Sequence, residues 1–580
     1  MSETTLFVLL SNKQTKYLVA FIVLVSLPIQ LRLYAQHIVK SSGELISLLS
    51  EDKNQGVILL DGDLFHIAGI EVKAGGKIIP YPGRKPSLIG FHQKVTRDNR
   101  PEDANGYWLV PIKSYGSTQI VFLDEKLDAI PYSCSLNGMN GFEIKEEQIK
   151  VIKKEERLIA VPIPHDFDYM KNRDKSFFKN FSIKLSYWFV GMELRQIYSD
   201  GIYIYGIVDS QYNFNLLSVR PYANVRIDFF NLPKEDGGIY LDGNDILHVP
   251  SKYETVHVCT TPPIFKLTGD RPITFDGVVF TGTNNDVIEI QGSNKHFNNC
   301  VIRNCGKGIV ASDGTYSNCT IKNCLFENLL NNCAISFSGI NDAIIESNTI
   351  RHTGTLVKGG SVITVSGLNF LVRDNNISDF SYIGISVGNT REYKPGTNNG
   401  VIIENVVDNL ANYGIANKQL DDGGGIYVLT HTDGVEISNN IIRNIGYDNA
   451  WMHGIYLDDG AYNVNVCNNL VYNINTNSKA IYSRFVDDCE RSCMNNVFVG
   501  NICVGNCVIA GNTNGYGNKT LIKNNYLTGT IDNNGDSFVT LINNRVIETE
   551  IQKNGMIKFK KKCGLKKRKY SRSIRKLIRF

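Results

Sequence analysis

One phrase governs what this chain can fold into. From residue 297 the sequence returns nine times to a short aliphatic strand, an Asn, and a second short aliphatic strand. The instances read FNNCVIRNC, CTIKNCLFEN, IIESNTIRHT, LVRDNNISDF, VIIENVVDNL, VEISNNIIRN, VNVCNNLVYN, SCMNNVFVGN and TLIKNNYLTG. Anchored on Asn299, Asn323, Asn348, Asn375, Asn405, Asn439, Asn468, Asn495 and Asn524, the steps run from 24 to 34 residues. A second landmark, usually a small residue plus an aliphatic one, precedes most anchors by 12 to 14 positions: Gly308-Ile309, Ala334-Ile335, Val362-Ile363, Gly425-Ile426, Gly454-Ile455, Ala480-Ile481. Such a unit cannot bury its apolar face alone, so stacked units must share one core. The expected fold is all-β, a parallel β-helix with one coil per repeat. A leucine-rich horseshoe is excluded by the absence of its LxxLxLxxN signature.

Composition agrees with this reading. The chain carries 61 Asn and 51 Gly in 580 residues, and both are turn formers and poor helix formers. Asn tolerates left-handed backbone at a corner, and its amide can pair with its copy about 4.8 Å above. Hydrophobic residues at 42% and charged residues at 20% exclude a disordered chain, a coiled coil and a polytopic membrane protein. The net charge of +4 sums two unlike parts. Residues 551–580 hold 13 of the 61 Lys and Arg and no Asp or Glu, which leaves 48 basic against 57 acidic side chains, a net of −9, in residues 1–550.

The termini carry separate signals. Lys13 and Lys16 precede an apolar run from Tyr17 to Ile29, short for a membrane span and right for a secretory signal. Residues 1–35 read either as a signal peptide cleaved at Ala35 or, with Arg32 after the run, as an uncleaved anchor. The expected location is periplasmic, cell-surface or secreted. The tail from Lys558 to Phe580 interleaves cations with Ile574, Leu577, Ile578 and Phe580. It reads as a solvated tail, or as an adhesive segment for anionic glycan or a membrane surface; nucleic acid is the least expected partner.

Between the ends, residues 36–94 read as an N-terminal cap and first coils. Residues 95–245, with Trp108 and Trp188, break the period and alternate like antiparallel strands, an inserted β-rich domain. The run from Ile239 to Pro250 is read as the return to the helix, and residues 246–550 as the repeats. Thirteen Cys is an odd number for an exported chain. Cys300 and Cys324 share a register, which favours buried stacked thiols over a disulfide. No two close Cys pairs have zinc spacing, and no metal site is expected.

The longest repeats lie between Asn375 and Asn468, and longer loops on one face of a solenoid are where binding sits. They hold two similar phrases, Asp421-Asp-Gly-Gly-Gly-Ile-Tyr427 and His453-Gly-Ile-Tyr-Leu-Asp-Asp-Gly460. Aligning Ile426, Ile455 and Ile481 stacks Tyr427, Tyr456 and Tyr482 on consecutive rungs, sets Asp458 beside Arg484, and sets His453 beside Lys479. Trp451 lies in the loop before His453. One solvent face thus offers carboxylates, rings for sugar faces, an imidazole and two cations, the inventory of a carbohydrate cleft. Asp422 lies four residues before the aligned Ile and Asp458 three after. Fully extended, that offset is on the order of 20 Å, beyond the ~5–9.5 Å a glycosidase pair needs. The pair therefore requires Gly423-Gly424-Gly425 to turn the chain back.

With D-G-G-G-I-Y and H-G-I-Y-L-D-D-G on adjacent coils after an N-proximal β-rich insertion, the chain resembles exported right-handed β-helix (pectate-lyase-like) glycoside hydrolases of polysaccharide-degrading bacteria. It is most similar to the family with pectic α-L-fucosidase and xylanase activities. The resemblance covers roughly residues 40–545. It implies a catalytic pair of Asp, one from each phrase, at Asp422 and at Asp458 or Asp459. The doubled acid at Asp421 and the basic tail depart from that pattern. Two other readings stand beside a hydrolase. A polysaccharide lyase or uronate epimerase would add Ca²⁺ and use Arg484 or Lys479 as base, whereas a hydrolase needs no cofactor. A non-catalytic glycan-binding β-helix would be tethered by its tail.

Overall fold

The computed structural model describes residues 35–579, apart from 91–92, 99, 103–105, 112–119, 124–131, 134–138, 166–181, 188–189, 218–223, 231–238, 242–245, 260–261, 312–313, 358, 389–396, 411–419, 421, 430–431, 447–450, 459–460, 476–477, 484–494, 505–519, 532–538, 552–556 and 560–569. The first 34 residues, Asp421, Asp459, Trp188 and Arg484 therefore lie outside the described residues.

Three long parallel sheets, of 14, 13 and 10 strands, run along the molecule, and a complete coil gives one short strand to each. The strands are short because each must end at a corner. The pairing is parallel because successive strands of one sheet come from successive turns in the same direction. Side chains pointing inward form continuous columns. On the third sheet one column runs Ile288, Ile309, Ile335, Ile363, Ile385, Ile426, Ile455, Ile481, all fully buried. Near the N-terminal end Phe275 and Phe297 stack face to face with centroids 5.5 Å apart. The helix Ser42–Ser50, capped by Ser41, covers that end and buries Leu45 and Leu49.

The Asn excess resolves into two positions. One is the corner itself: among the described residues, 17 of the 26 non-glycine residues with positive φ are Asn, including Asn299, Asn323, Asn439, Asn468 and Asn524. The other is the next residue inward. Asn348, Asn375, Asn405, Asn440, Asn469, Asn501, Asn525 and Asn544 form a column in which each side-chain amide donates to the next Oδ1 at 2.9–3.0 Å. Each backbone N–H donates to the same oxygen. The true steps along this column are 27, 30, 35, 29, 32, 24 and 19 residues. Anchoring on one Asn per phrase mixes the two positions. Asn495 belongs to a different corner, that of Asn463, because Cys467 pairs with Val499 and the partner of Asn468 is Gly500. Cys300 and Cys324 continue the column as free thiols, and burial raises the Cys324 thiol well above its usual range.

The coil is interrupted after Ser87–Ile89. Gln93–Thr96 pairs antiparallel with Thr255–Val258, and Tyr107–Pro111 with Ile246–Pro250. A seven-stranded antiparallel sheet, with a core that includes Ile159, Leu185, Ile204 and Ile227, lies between them in sequence. Ile246–Pro250 therefore does not re-enter the helix. The parallel coil resumes at Phe265–Thr268 beside Ile70–Val72, and Val279–Thr281 lies beside Ser87–Ile89. Strand alternation in both regions is the same, which is why the return point is displaced.

The described part of the C-terminal tail is not solvated chain. Ser571 caps the helix Arg572–Leu577 and donates its N–H to Asn439 Oδ1 at 3.0 Å, while the Tyr570 hydroxyl donates to the Gly500 carbonyl at 2.6 Å. Tyr570, Ile574 and Ile578 are buried against Ile441, Leu470 and Ile502, the outward row of the second sheet. That row is polar at Thr349 and Asn376 and apolar from Val406 to Ile502, where the helix docks.

Candidate active site

The two acidic phrases lie on adjacent strands of the third sheet, Gly423–Val428 and Met452–Leu457, followed by Ile481–Ser483. Ile426 pairs with Ile455 and Ile455 with Ile481, so Tyr427, Tyr456 and Tyr482 fall on one outward row. Their ring centroids are 4.9 and 5.2 Å apart. The row is not an open solvent platform, however. Tyr456 is 0% and Tyr427 8% exposed, and Tyr482 and Trp451 are half-buried at the rim.

The three glycines make no turn. They are strand residues, and a Cβ on them would meet the Tyr382 ring at 2.8 Å from Gly423, the His453 carbonyl at 2.4 Å from Gly424 and Ile442 at 2.5 Å from Gly425. Glycine is required because the neighbouring coil approaches the backbone. The reversal is made by Asp422 itself, with φ of 66°, a conformation Asp tolerates better than most residues. It is fixed by N–H donation from Asp422 and Gly423 to the Trp451 carbonyl at 2.8 and 3.2 Å.

The hydrogen bonds between the phrases cross. The Tyr427 hydroxyl donates to Asp458 Oδ2 on the next coil at 2.6 Å, and the Tyr456 hydroxyl donates to Asp422 Oδ1 on the previous coil at 3.2 Å. Asp458 is 2% exposed and is anchored by its own N–H to the Val428 carbonyl at 2.8 Å. Burial, then Asp458, then Asp422 push the Tyr427 phenol well above its ordinary range, so it remains a protonated donor. Both acids are thus close enough to act on one phenol.

His453 lies beneath this pair, fully buried, with its ring 4.8 Å from Tyr456, 4.5 Å from Tyr482 and 5.7 Å from Trp451. Its Nδ1 accepts the Lys479 N–H at 3.0 Å, which places the ring proton on Nε2, and Nε2 has no partner among the described residues. Burial, then the Lys479 charge, pull its pKa down to about 3, so the imidazole is neutral. Lys479 is half-buried and also accepts the Gly454 N–H at its carbonyl.

The structure thus brings Asp422, Asp458, Tyr427, Tyr456, Tyr482, His453, Trp451 and Lys479 together. Asp459 and Arg484 lie outside the described residues. Sequence reasoning missed Tyr382, whose hydroxyl donates to the Asp422 carbonyl at 2.9 Å and holds the strained corner. Its only sequence signal is an aromatic residue just before the Ile383-Gly384-Ile385 landmark. Among the described residues no group of three or more His, Cys, Asp or Glu is placed to hold a metal ion. Chemically, the site offers two carboxyl groups, each accepting from a phenol on the other's strand, with aromatic rings at the rim.

No curated protein matches the sequence. Among solved structures, one described as a glycoside hydrolase aligns at 11% identity and a TM-score of 0.47, over 84% of this chain and 89% of its own. XylC in complex with xylose aligns at 10% identity and 0.46, over 90% and 88%. The A-module of the Azotobacter vinelandii mannuronan C-5 epimerase AlgE4 aligns at 12% identity and 0.33, over 49% and 80%. Residues 267–421 match the family model of the right-handed beta helix region, which agrees with the fold read from the strand pairing.

Proposed function

We propose that this chain is an exported carbohydrate-active enzyme, a glycoside hydrolase in which Asp422 and Asp458 are the working carboxyl groups. The observation that carries the reading is the crossed pairing of Tyr427 with Asp458 and Tyr456 with Asp422. It brings to one pair of phenols two acids that extended strands would hold far apart. Asp422, half-buried at a corner, is the proton donor to the glycosidic oxygen. Asp458, oriented by Tyr427, is the base or nucleophile, with Asp459 as the alternative for that role. Trp451 and Tyr482, half-buried at the rim, stack on sugar faces. Export rests on the apolar run from Tyr17 to Ile29.

The test is digestion of a glycan panel by the wild-type protein beside Asp422→Asn, Asp458→Asn and Asp459→Asn. Wild-type should release reducing ends, and loss of either working acid should lower the rate by roughly 10²–10⁴. Unchanged turnover in both the Asp422 and Asp458 variants would sink the assignment. An ultraviolet-absorbing unsaturated product, abolished by EDTA, would replace hydrolysis with β-elimination.

A further inference from the structure

We infer that the docked C-terminal helix is a cationic subsite and that the glycan acted on here is anionic, carrying uronate or sulfate groups; this rests on the proposed carbohydrate activity. The helix Arg572–Leu577 divides cleanly into two sides. Ile574, with the flanking Tyr570 and Ile578, is spent on the second sheet, and the exposed side carries Arg572, Arg575 and Lys576. None of the three has a carboxylate partner among the described residues. Lys558, also exposed, lies opposite Glu550 on the paired strand.

Two observations select the ligand. The apolar side is already buried, so the segment has nothing left to insert into a lipid bilayer, which an interfacial helix requires. In addition, the helix docks on the coils that build the site. Ile441, Leu470 and Ile502 begin their strands of the second sheet, and the first two of those coils continue to Trp451 and Ile481. Between Ile441 under the patch and Trp451 at the rim lie one strand, five residues at roughly 3.3 Å each or on the order of 15 Å, and then residues 446–451. A polymer held at Trp451 and Tyr482 that continues over the second sheet meets Arg575 and Lys576. Residues 1–550, net −9, repel a polyanion, so the cations of the basic C-terminal segment decide where such a chain can lie.

The test is affinity electrophoresis of the full chain in gels containing polygalacturonate, with dextran gels as the neutral control. Wild-type and Asp422→Asn should both be retarded by polygalacturonate only. The triple variant Arg572→Gln, Arg575→Gln, Lys576→Gln should bind about tenfold more weakly, and retardation should shrink with added salt as charges are screened. All three substitutions are at exposed positions, and an unchanged melting temperature would show that the helix remains docked. Equal retardation of wild-type and triple variant, or none for either, overturns the inference. So does binding only to phosphatidylserine vesicles or duplex DNA, run in parallel. If retardation behaves as expected while no glycan is ever cleaved, the hydrolase reading fails and the anionic-glycan site stands.

Discussion

Two ladders climb the same coils and obey different rules. The Asn column from Asn348 to Asn544 makes one bond over and over, each amide to the next copy of itself. The Tyr row at Tyr427 and Tyr456 also climbs rung by rung, its rings in tilted contact, but its hydroxyls leave the column and bond to acids of the other coil. A contact repeated at every rung is what a solenoid needs to hold its coils together. A buried polar contact made on one pair of rungs does nothing for the other coils, and its desolvation cost calls for another use. Repetition separates the scaffold from the candidate chemistry within a single turn of chain.

The comparison is broken most sharply by exchanging the two kinds of defect. Asp422→Asn should abolish turnover, by roughly 10²–10⁴, with a melting temperature close to wild-type. In contrast, Asn440→Ala should leave the chemistry per folded molecule intact. It orphans the Asn405 N–H, while Asn405 Nδ2 keeps the Val372 and Ile403 carbonyls, so at ~1–3 kcal/mol per buried donor urea titration should show about 1–3 kcal/mol lost. A large activity defect in folded Asn440→Ala would mean that the columns are coupled.

Smaller effects sharpen the boundary. Tyr427→Phe keeps the ring stack and removes one donor to Asp458. We expect at least about a tenfold fall in kcat, and a stability cost of ~1–3 kcal/mol. His453 gives a pH signature without any substrate. Its folded pKa of about 3 lies below the ordinary 6.5, so between those values the unfolded chain binds the extra proton. Its contribution to stability is complete above pH 6.5 and is lost as pH falls toward 3. His453→Gln should flatten the melting curve in that window and change little above it.

Much of this was legible beforehand, and the failures have physical causes. The Gly-Ile and Ala-Ile landmarks set the correct register for Ile426, Ile455 and Ile481, because an inward aliphatic beside a close-packed small residue can occupy only one place in the coil. The Asn anchors drifted because corner and column are adjacent and both are Asn at Asn439-Asn440, Asn468-Asn469 and Asn524-Asn525. Gly423-Gly424-Gly425 has the composition of a turn, although what demands glycine there is the approach of Tyr382, His453 and Ile442 from elsewhere in the stack, contacts no local pattern reveals. The tail was half legible. Tyr570, Ile574 and Ile578 have helical spacing, but the surface that accepts them is assembled from Ile441, Leu470 and Ile502, one residue from each of three coils.

The Asn column counts coils, not residues. It accepts turns of 19 or 35 residues on equal terms, and the helix closes over the chain between Ile89 and Ile264 by pairing Ser87–Ile89 with Val279–Thr281. A fold with that tolerance lets its corners be lengthened, shortened or exchanged while the axial repeat stays fixed. New specificities can be built at a corner without renegotiating the core, and the corner at Asp422 lies on the longest turn of that column.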